Sequence, residues 1–341
     1  MEIHRLLTIA HKEFSDHITG KKFLILILML GIAVAIGTVD GITDYQNNLD
    51  QYKSNVGVYA SYSPSPMNIF GNIADTIGYF GFGAVIAIAL GFDLISGEKE
   101  TRSLKSLLSH PLYRDEIING KAIGGILALV VAAVSIFMLT YAILLLQGIV
   151  PNLDETIGIV ILWLITILFL AANFSLALMS SVIAKNSSSA LIISMIILFA
   201  ITFLFPVAGA KAACYIALGE EPSQLYIDEQ SSMTSEEIEW HEKKAQDYYR
   251  NVDTIYSVFR LFSIQNSYLE IKSPLTNPSI YLYSKNRLQN SYYSGESNDV
   301  TGSFSIWDAL SDVWLNIVSL IMFPIVFFGI AYVKFMRMDL R

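Results

Sequence analysis

The sequence predicts an all-α polytopic membrane protein. It has six transmembrane helices, an amphipathic N-terminal helix and a mostly helical extracytoplasmic insertion between spans five and six. Three observations carry this prediction. Of the 341 residues 53% are hydrophobic and only 15% charged, where a soluble protein carries about 25% charge. The apolar residues fall in blocks long enough to enter a bilayer, and the basic residues of the short segments gather on one side of those blocks. The net charge of −8 argues against a nucleic-acid partner. The single cysteine, Cys214, allows no internal disulfide, and in its apolar stretch it reads as a small hydrophobe rather than a nucleophile. His4, His11, His17, His110 and His241 form no zinc-binding pattern.

Taken in order, residues 1–22 place Ile3, Leu6, Leu7, Ala10, Phe14 and Ile18 at spacings of three and four, with Arg5, His11, Lys12 and Asp16 on other faces. That is an amphipathic helix along a membrane surface. Lys21 and Lys22 flank the first span, Phe23–Val39, which at about 1.5 Å per residue is just long enough for a ~30 Å core. Residues 40–72 are polar and read as a loop that includes a short surface helix. The second span is expected from Ile73 to Phe92, with Gly83, Ala87 and Gly91 giving it a close-packing stripe; Asp75 near its end reads as interfacial. The third span runs from Ala122 to Gln147, with a second stripe at Gly120, Gly124, Ala128 and Ala132, and the fourth from Ile157 to Ile183. Asn173 and Ser175 on the fourth span and Thr202 on the fifth are candidates for lining a substrate path; the competing reading is a hydrogen bond to a neighbouring helix. Lys185–Ser188 form a tight turn, and the fifth span is expected from Ser189 to Val207, ended by Pro206.

Residues 208–306 change composition, becoming rich in Glu, Ser, Asn and Tyr. Thr234 and Glu237 form a capping box that opens a helix reaching Leu261. Pro274 and Pro278 should break the chain after it, and Ile280–Tyr283 and the segment around Gly295 read as short strands or loops. The last span, Val313–Val333, starts beside Trp307 and Trp314, which serve as interfacial anchors. The chain thus divides into a leader (1–22), spans one to five with a charged loop at 93–121 (23–207), the insertion (208–306), and span six with a tail (307–341).

Six spans put both termini on one side together with 93–121 and 184–188. That side holds 13 Lys and Arg against 9 acids, and the other holds 9 against 21. The basic side is cytoplasmic by the positive-inside rule. The loop Asp93–Lys121 has no nucleophile–base pair, and no GxxxxGK phosphate loop occurs in the chain. It offers a short helix with charges of both signs, a break at Pro111, and a second helical piece, Arg114–Lys121, leading into the third span. Such a segment can convert a push from a soluble partner into movement of two attached spans.

The loop, DLISGEKETRSLKSLLSHPLYRDEIINGK, resembles the cytoplasmic loop of ABC-2-type transporter permeases. The matching positions are Asp93, Ile95–Glu100, Leu104, Leu107–Ser109, Pro111, Arg114, Glu116–Ile118, Gly120 and Lys121. The leader with HKEF at His11–Phe14 is similar to the same family. Thr101-Arg102-Ser103 departs from it, since the family often has a Gly-Thr or Gly-Ser pair there.

The resemblance implies the membrane subunit of a prokaryotic ABC exporter in the cell membrane. It would not be an enzyme itself and would hold no cofactor. A separate ABC ATPase subunit would bind ATP and Mg2+, and the permease would form a homodimer or pair with a second permease subunit, with the substrate route between the paired subunits. It also implies that Glu98, Lys99, Glu100, Arg102, Leu104, Leu107 and Leu108 form the ATPase-coupling set. The alternative is a membrane sensor or scaffold whose outer domain binds a ligand and whose loop recruits a partner without transport.

Overall fold

A computed structural model describes residues 3–54, 64–101, 113–221, 234–277, 281 and 306–338. Its helices are α1 (Ile3–Thr19), α2 (Lys21–Ser54), α3 (Met67–Ile77), α4 (Phe82–Gly91), α5 (Ser96–Glu100), α6 (Arg114–Leu146) and α7 (Leu153–Ile183). They continue with α8 (Ser187–Leu218), α9 (Ser235–Leu261), α10 (Ile264–Thr276), α11 (Ile306–Asp312) and α12 (Trp314–Met336). No strand occurs among the described residues. Helices α2, α6, α7, α8 and α12 are each long and apolar enough to cross a membrane, and α3 with α4 supplies a sixth crossing if the pair is one broken span. The protein is a multi-pass membrane protein.

α7 is the central helix. Its most apolar window is 56% buried within the chain, against 11% for α12 at the periphery. α4, α6, α8, α10 and α12 all pack on it. The two small-residue stripes have distinct partners. Gly83 and Gly91 let α4 approach Phe169, Phe174 and Ala177 of α7. On α6, Gly120 and Gly124 admit α1: a Cβ at Gly124 would lie 2.7 Å from the carbonyl oxygen of Ala10 and from Cβ of Glu13. α1 is therefore held against α6, with Leu6 and Ala10 buried.

Helix starts follow local chemistry. Asn152 and Glu155 form a reciprocal box at the start of α7, with Oδ1 of Asn152 accepting from the Glu155 N–H at 2.8 Å. Thr234 and Glu237 do the same for α9, which ends at Leu261 as expected.

Four boundaries differ from expectation. α2 continues beyond Val39 to Ser54, because polar composition stops a membrane crossing without stopping a helix; Gly41 and Ile42 still pack inward, Gly41 against Ile69 of α3. The second span is not one straight helix. Its two halves meet at 48°, and Gly81 at the break has φ of +75°, a conformation glycine adopts without a Cβ penalty. The fifth span does not end at Pro206. It passes through a π-helical stretch, Ala200–Gly209, and continues to Leu218. Pro206 has no N–H and its ring would clash with the preceding turn, and the wider π winding accommodates both. Pro274 does not break the chain either. It sits near the C-terminus of α10 and is buried; it offers no N–H to the Glu270 carbonyl, and the helix ends two residues later at Thr276. Pro278, the stretch around Gly295 and Ile280–Tyr283 lie outside the described residues, apart from Tyr281.

α10 lies inside the bundle, against α3, α7 and α12. Its Tyr268 is fully buried, sits on Gly78 at the break between α3 and α4, and stacks 4.6 Å from Phe169 by ring centroids. The Tyr268 hydroxyl shares a 3.0 Å hydrogen bond with Thr166. Asp75, expected at an interface, pairs with Lys272 of α10 at 2.6 Å.

Candidate functional site

Two places stand out along α7, one at its C-terminal end and one against its middle. The first surrounds α5. Ser181, near the C-terminus of α7, accepts from the backbone N–H groups of Ile95 and Ser96 at 3.0 and 2.9 Å, capping the start of α5. In return, Lys99 on α5 donates to the carbonyls of Val182, Ala184 and Ser181 at 2.6, 2.9 and 3.4 Å. These are the carbonyls that a helix C-terminus leaves unsatisfied, and a cation there also meets the negative end of the helix dipole. Glu100 accepts from the N–H of Ser187 at 3.2 Å, placing a carboxylate on the positive end of α8. One short helix thus caps the end of α7 and the start of α8 and is itself capped by α7.

The same end holds a buried ion cluster. Lys121 of α6 is 2.7 Å from Glu13 of α1 and 2.8 Å from Glu98 of α5, with the lysine side chain 3% exposed. Three helices meet at one ammonium. Lys22 pairs with Asp93 at 3.0 Å, and Arg114 donates to the carbonyls of Met336 and Met338 at 3.1 and 2.7 Å, tying the start of α6 to the end of α12. His17 lies beside the cluster. Burial lowers its pKa from the ordinary histidine value; Glu13 and Asp93 act against that shift, and Lys22 and Lys121 act with it.

The structure therefore brings Glu98, Lys99 and Glu100 together, with their polar heads engaged inside the chain. Arg102, Leu104, Leu107 and Leu108 lie outside the described residues. In the sequence Ser181 is only one of several polar residues on the fourth span, and Glu13 only part of the HKEF stretch. Glu13 was detectable: it falls on the same helical face as Leu6 and Ala10, and an acid on an apolar face requires a buried partner.

The second place is a half-open cavity of about 430 Å³ between the α3–α4 break, α7 and α8. Asn173 and Thr202 line it, as does Gln265 from α10; Ser175, predicted alongside them, is buried but is not among the lining residues. Asn173 Nδ2 donates to the Phe169 carbonyl at 2.9 Å, which fixes the amide orientation and leaves Oδ1 without a partner. Thr202 Oγ1 is also buried and unpartnered. Elsewhere Thr38, Thr140, Thr166 and Ser194 bond the carbonyl four residues back. Thr202 sits in the π-helical stretch, where the altered winding shifts that carbonyl away from its hydroxyl. The cavity lies where two spans depart from regular α geometry. No group of three or more His, Cys, Asp or Glu side chains that could hold a metal occurs among the described residues.

A family model described as an ABC-2 family transporter protein matches residues 7–340. The chain belongs to that family. No curated protein matches it. As an ABC-2 family member it is the membrane permease subunit of an ABC transporter, a transport component that associates with an ABC ATPase subunit. The matched range takes in both the clasp around α5 and the cavity.

Proposed function

We propose that this permease exports its substrate across the cell membrane of a prokaryote. ATP and Mg2+ are bound by a separate ATPase subunit, and the permease pairs as a homodimer or with a second permease. Both termini and α5 face the cytoplasm, and the 208–306 insertion lies on the outer side, with α10 reaching back into the bundle. The observation that carries this reading is the reciprocal capping of α5 with α7 and α8. A load applied to α5 reaches the ends of two spans through short polar bonds, and reaches α1 and α6 through Lys121.

In this reading Leu104, Leu107, Leu108 and Arg102 make the outward contact with the ATPase. Glu98, Lys99 and Glu100 transmit its movement. Asn173 and Thr202 belong to the substrate path, and each subunit brings its cavity to the route between the pair.

The test is co-purification with the ABC ATPase encoded beside the permease, wild type against a Leu107→Asp, Leu108→Asp double variant. Size-exclusion chromatography reports folding of the permease. The expected result is that wild type retains the ATPase and a folded variant loses it. An ATPase that binds neither form would contradict the exporter reading in favour of a sensor or scaffold.

A further inference from the structure

The cavity carries information about what it holds. We propose that it takes an uncharged amphiphile with an apolar body and a hydroxyl or N–H group that donates to Asn173 Oδ1. This rests on the reading of the cavity as part of the substrate path, and adds the chemical class.

Polarity comes first. Asn173 and Thr202 are both more than nine-tenths buried, and each leaves an oxygen unpartnered. A buried oxygen without a partner is unfavourable by about 1–3 kcal/mol, so a ligand that satisfies it gains what the empty site lacks. Because the Asn173 amide is locked by its bond to the Phe169 carbonyl, the free atom is an acceptor, and the ligand must bring a donor. The Thr202 hydroxyl can donate or accept, so a ligand hydroxyl suits both.

Charge comes second. The lining residues include no Asp, Glu, Lys, Arg or His. An ion entering this space would lose its hydration without gaining a counter-charge. A bare divalent cation is held by about six oxygens, usually carboxylates among them, and the lining supplies no carboxylate. A peptide would bring several backbone donors and acceptors for which the walls supply no partners.

Shape comes third. The walls are mainly apolar, with Phe169, Phe199 and Phe203 among them. The volume of about 430 Å³ lies in the range of roughly 300–1,000 Å³ that accommodates a molecule of drug-like size.

The experiment is photolabelling of the full-length permease in phosphatidylcholine nanodiscs. The probes are a long-chain alcohol bearing a mid-chain diazirine, its methyl ether and its trimethylammonium analogue. Adducts are counted by mass spectrometry on peptides covering 79–85 and 195–203. The alcohol is expected to label these peptides saturably, and the ether and the cation about tenfold less, because a site built to pair a hydroxyl rejects analogues lacking it. Thr202→Val and Asn173→Leu should each reduce labelling by the alcohol severalfold; the probe series on wild type needs no variant to fold. Labelling of the cavity peptides equally by all three probes would overturn the ligand class and leave the substrate path standing. No saturable labelling of those peptides by any probe would overturn both. Neither result bears on ATPase binding.

Discussion

The clasp around α5 and the cavity beside α8 are built in opposite ways. At the clasp Ser181, Lys99 and Glu100 close reciprocal bonds and Lys121 pairs with two acids, with His17 Nε2 beside them buried and unpartnered. At the cavity the helices are broken or widened, and Asn173 and Thr202 each keep an unpartnered oxygen. Both line the same central helix, α7. Under the proposed function the difference is a division of labour. A segment that must pass on force is cross-bonded so that its helices move together. A segment that must open to a ligand is left loosely satisfied, so that its shape can change at little energetic cost.

The comparison can be broken most severely at Lys121. Lys121→Met leaves Glu13 and Glu98 facing each other without a cation, and removing one partner of a buried pair costs about 3–5 kcal/mol. A large fall in the thermal midpoint is expected, together with new protease cleavage in α1, both measured on the purified permease. Gly124→Ala comes next. Its Cβ would meet backbone atoms of α1, and forced overpacking costs about 1–3 kcal/mol; cleavage within α1 should rise while the cavity region is unaffected. Ser181→Ala removes the acceptor for two buried N–H groups and should cost about 1–2 kcal/mol, read as a lowered midpoint.

The same kind of substitution at the cavity should behave differently. Thr202→Val replaces an unsatisfied hydroxyl by a methyl group and should leave stability unchanged or raise it by roughly 0–1 kcal/mol, read as an equal or higher midpoint. A loss matching that of Ser181→Ala would erase the distinction.

The smallest effect is a pH dependence. The folded pKa of His17 lies below its unfolded value because of burial, so the folded state favours the neutral ring. Docking of α1 is then strongest above about pH 6.5 and weakens as pH falls from there toward the lower folded value. Proteolysis of α1 across that interval measures it, and His17→Gln should flatten the profile.

The spans were legible because long apolar blocks and caps are local signals. Thr234 with Glu237 fixed the start of α9, and the glycines of α4 and α6 announced close helix packing. The break at Gly81 was harder to see, because a run of apolar residues hides a change in direction. Pro206 was read as an ending since proline usually is one, while the structure absorbs it by π winding. At the site, the motif pointed to Glu98, Lys99 and Glu100. Their partners Ser181 and Ser187 are more than eighty residues away in sequence, and no single-sequence pattern connects such positions. Asn173 and Thr202 were suggested as polar residues in apolar spans, but their shared cavity depends on the bend and the π stretch together.

The central claim is that α5 and the start of α8 move as one unit while the cavity changes shape. Spin labels in a Cys214→Ser background test it directly. One pair is Thr101→Cys with Ser188→Cys across the clasp, and the other is Phe80→Cys with Met195→Cys, both lining the cavity; all four positions are exposed. Distances are measured by pulsed electron paramagnetic resonance on the permease–ATPase complex, without nucleotide and with ATP trapped. The account predicts an unchanged clasp distance and a shifted cavity distance. A clasp distance that shifts while the cavity distance stays fixed would contradict it.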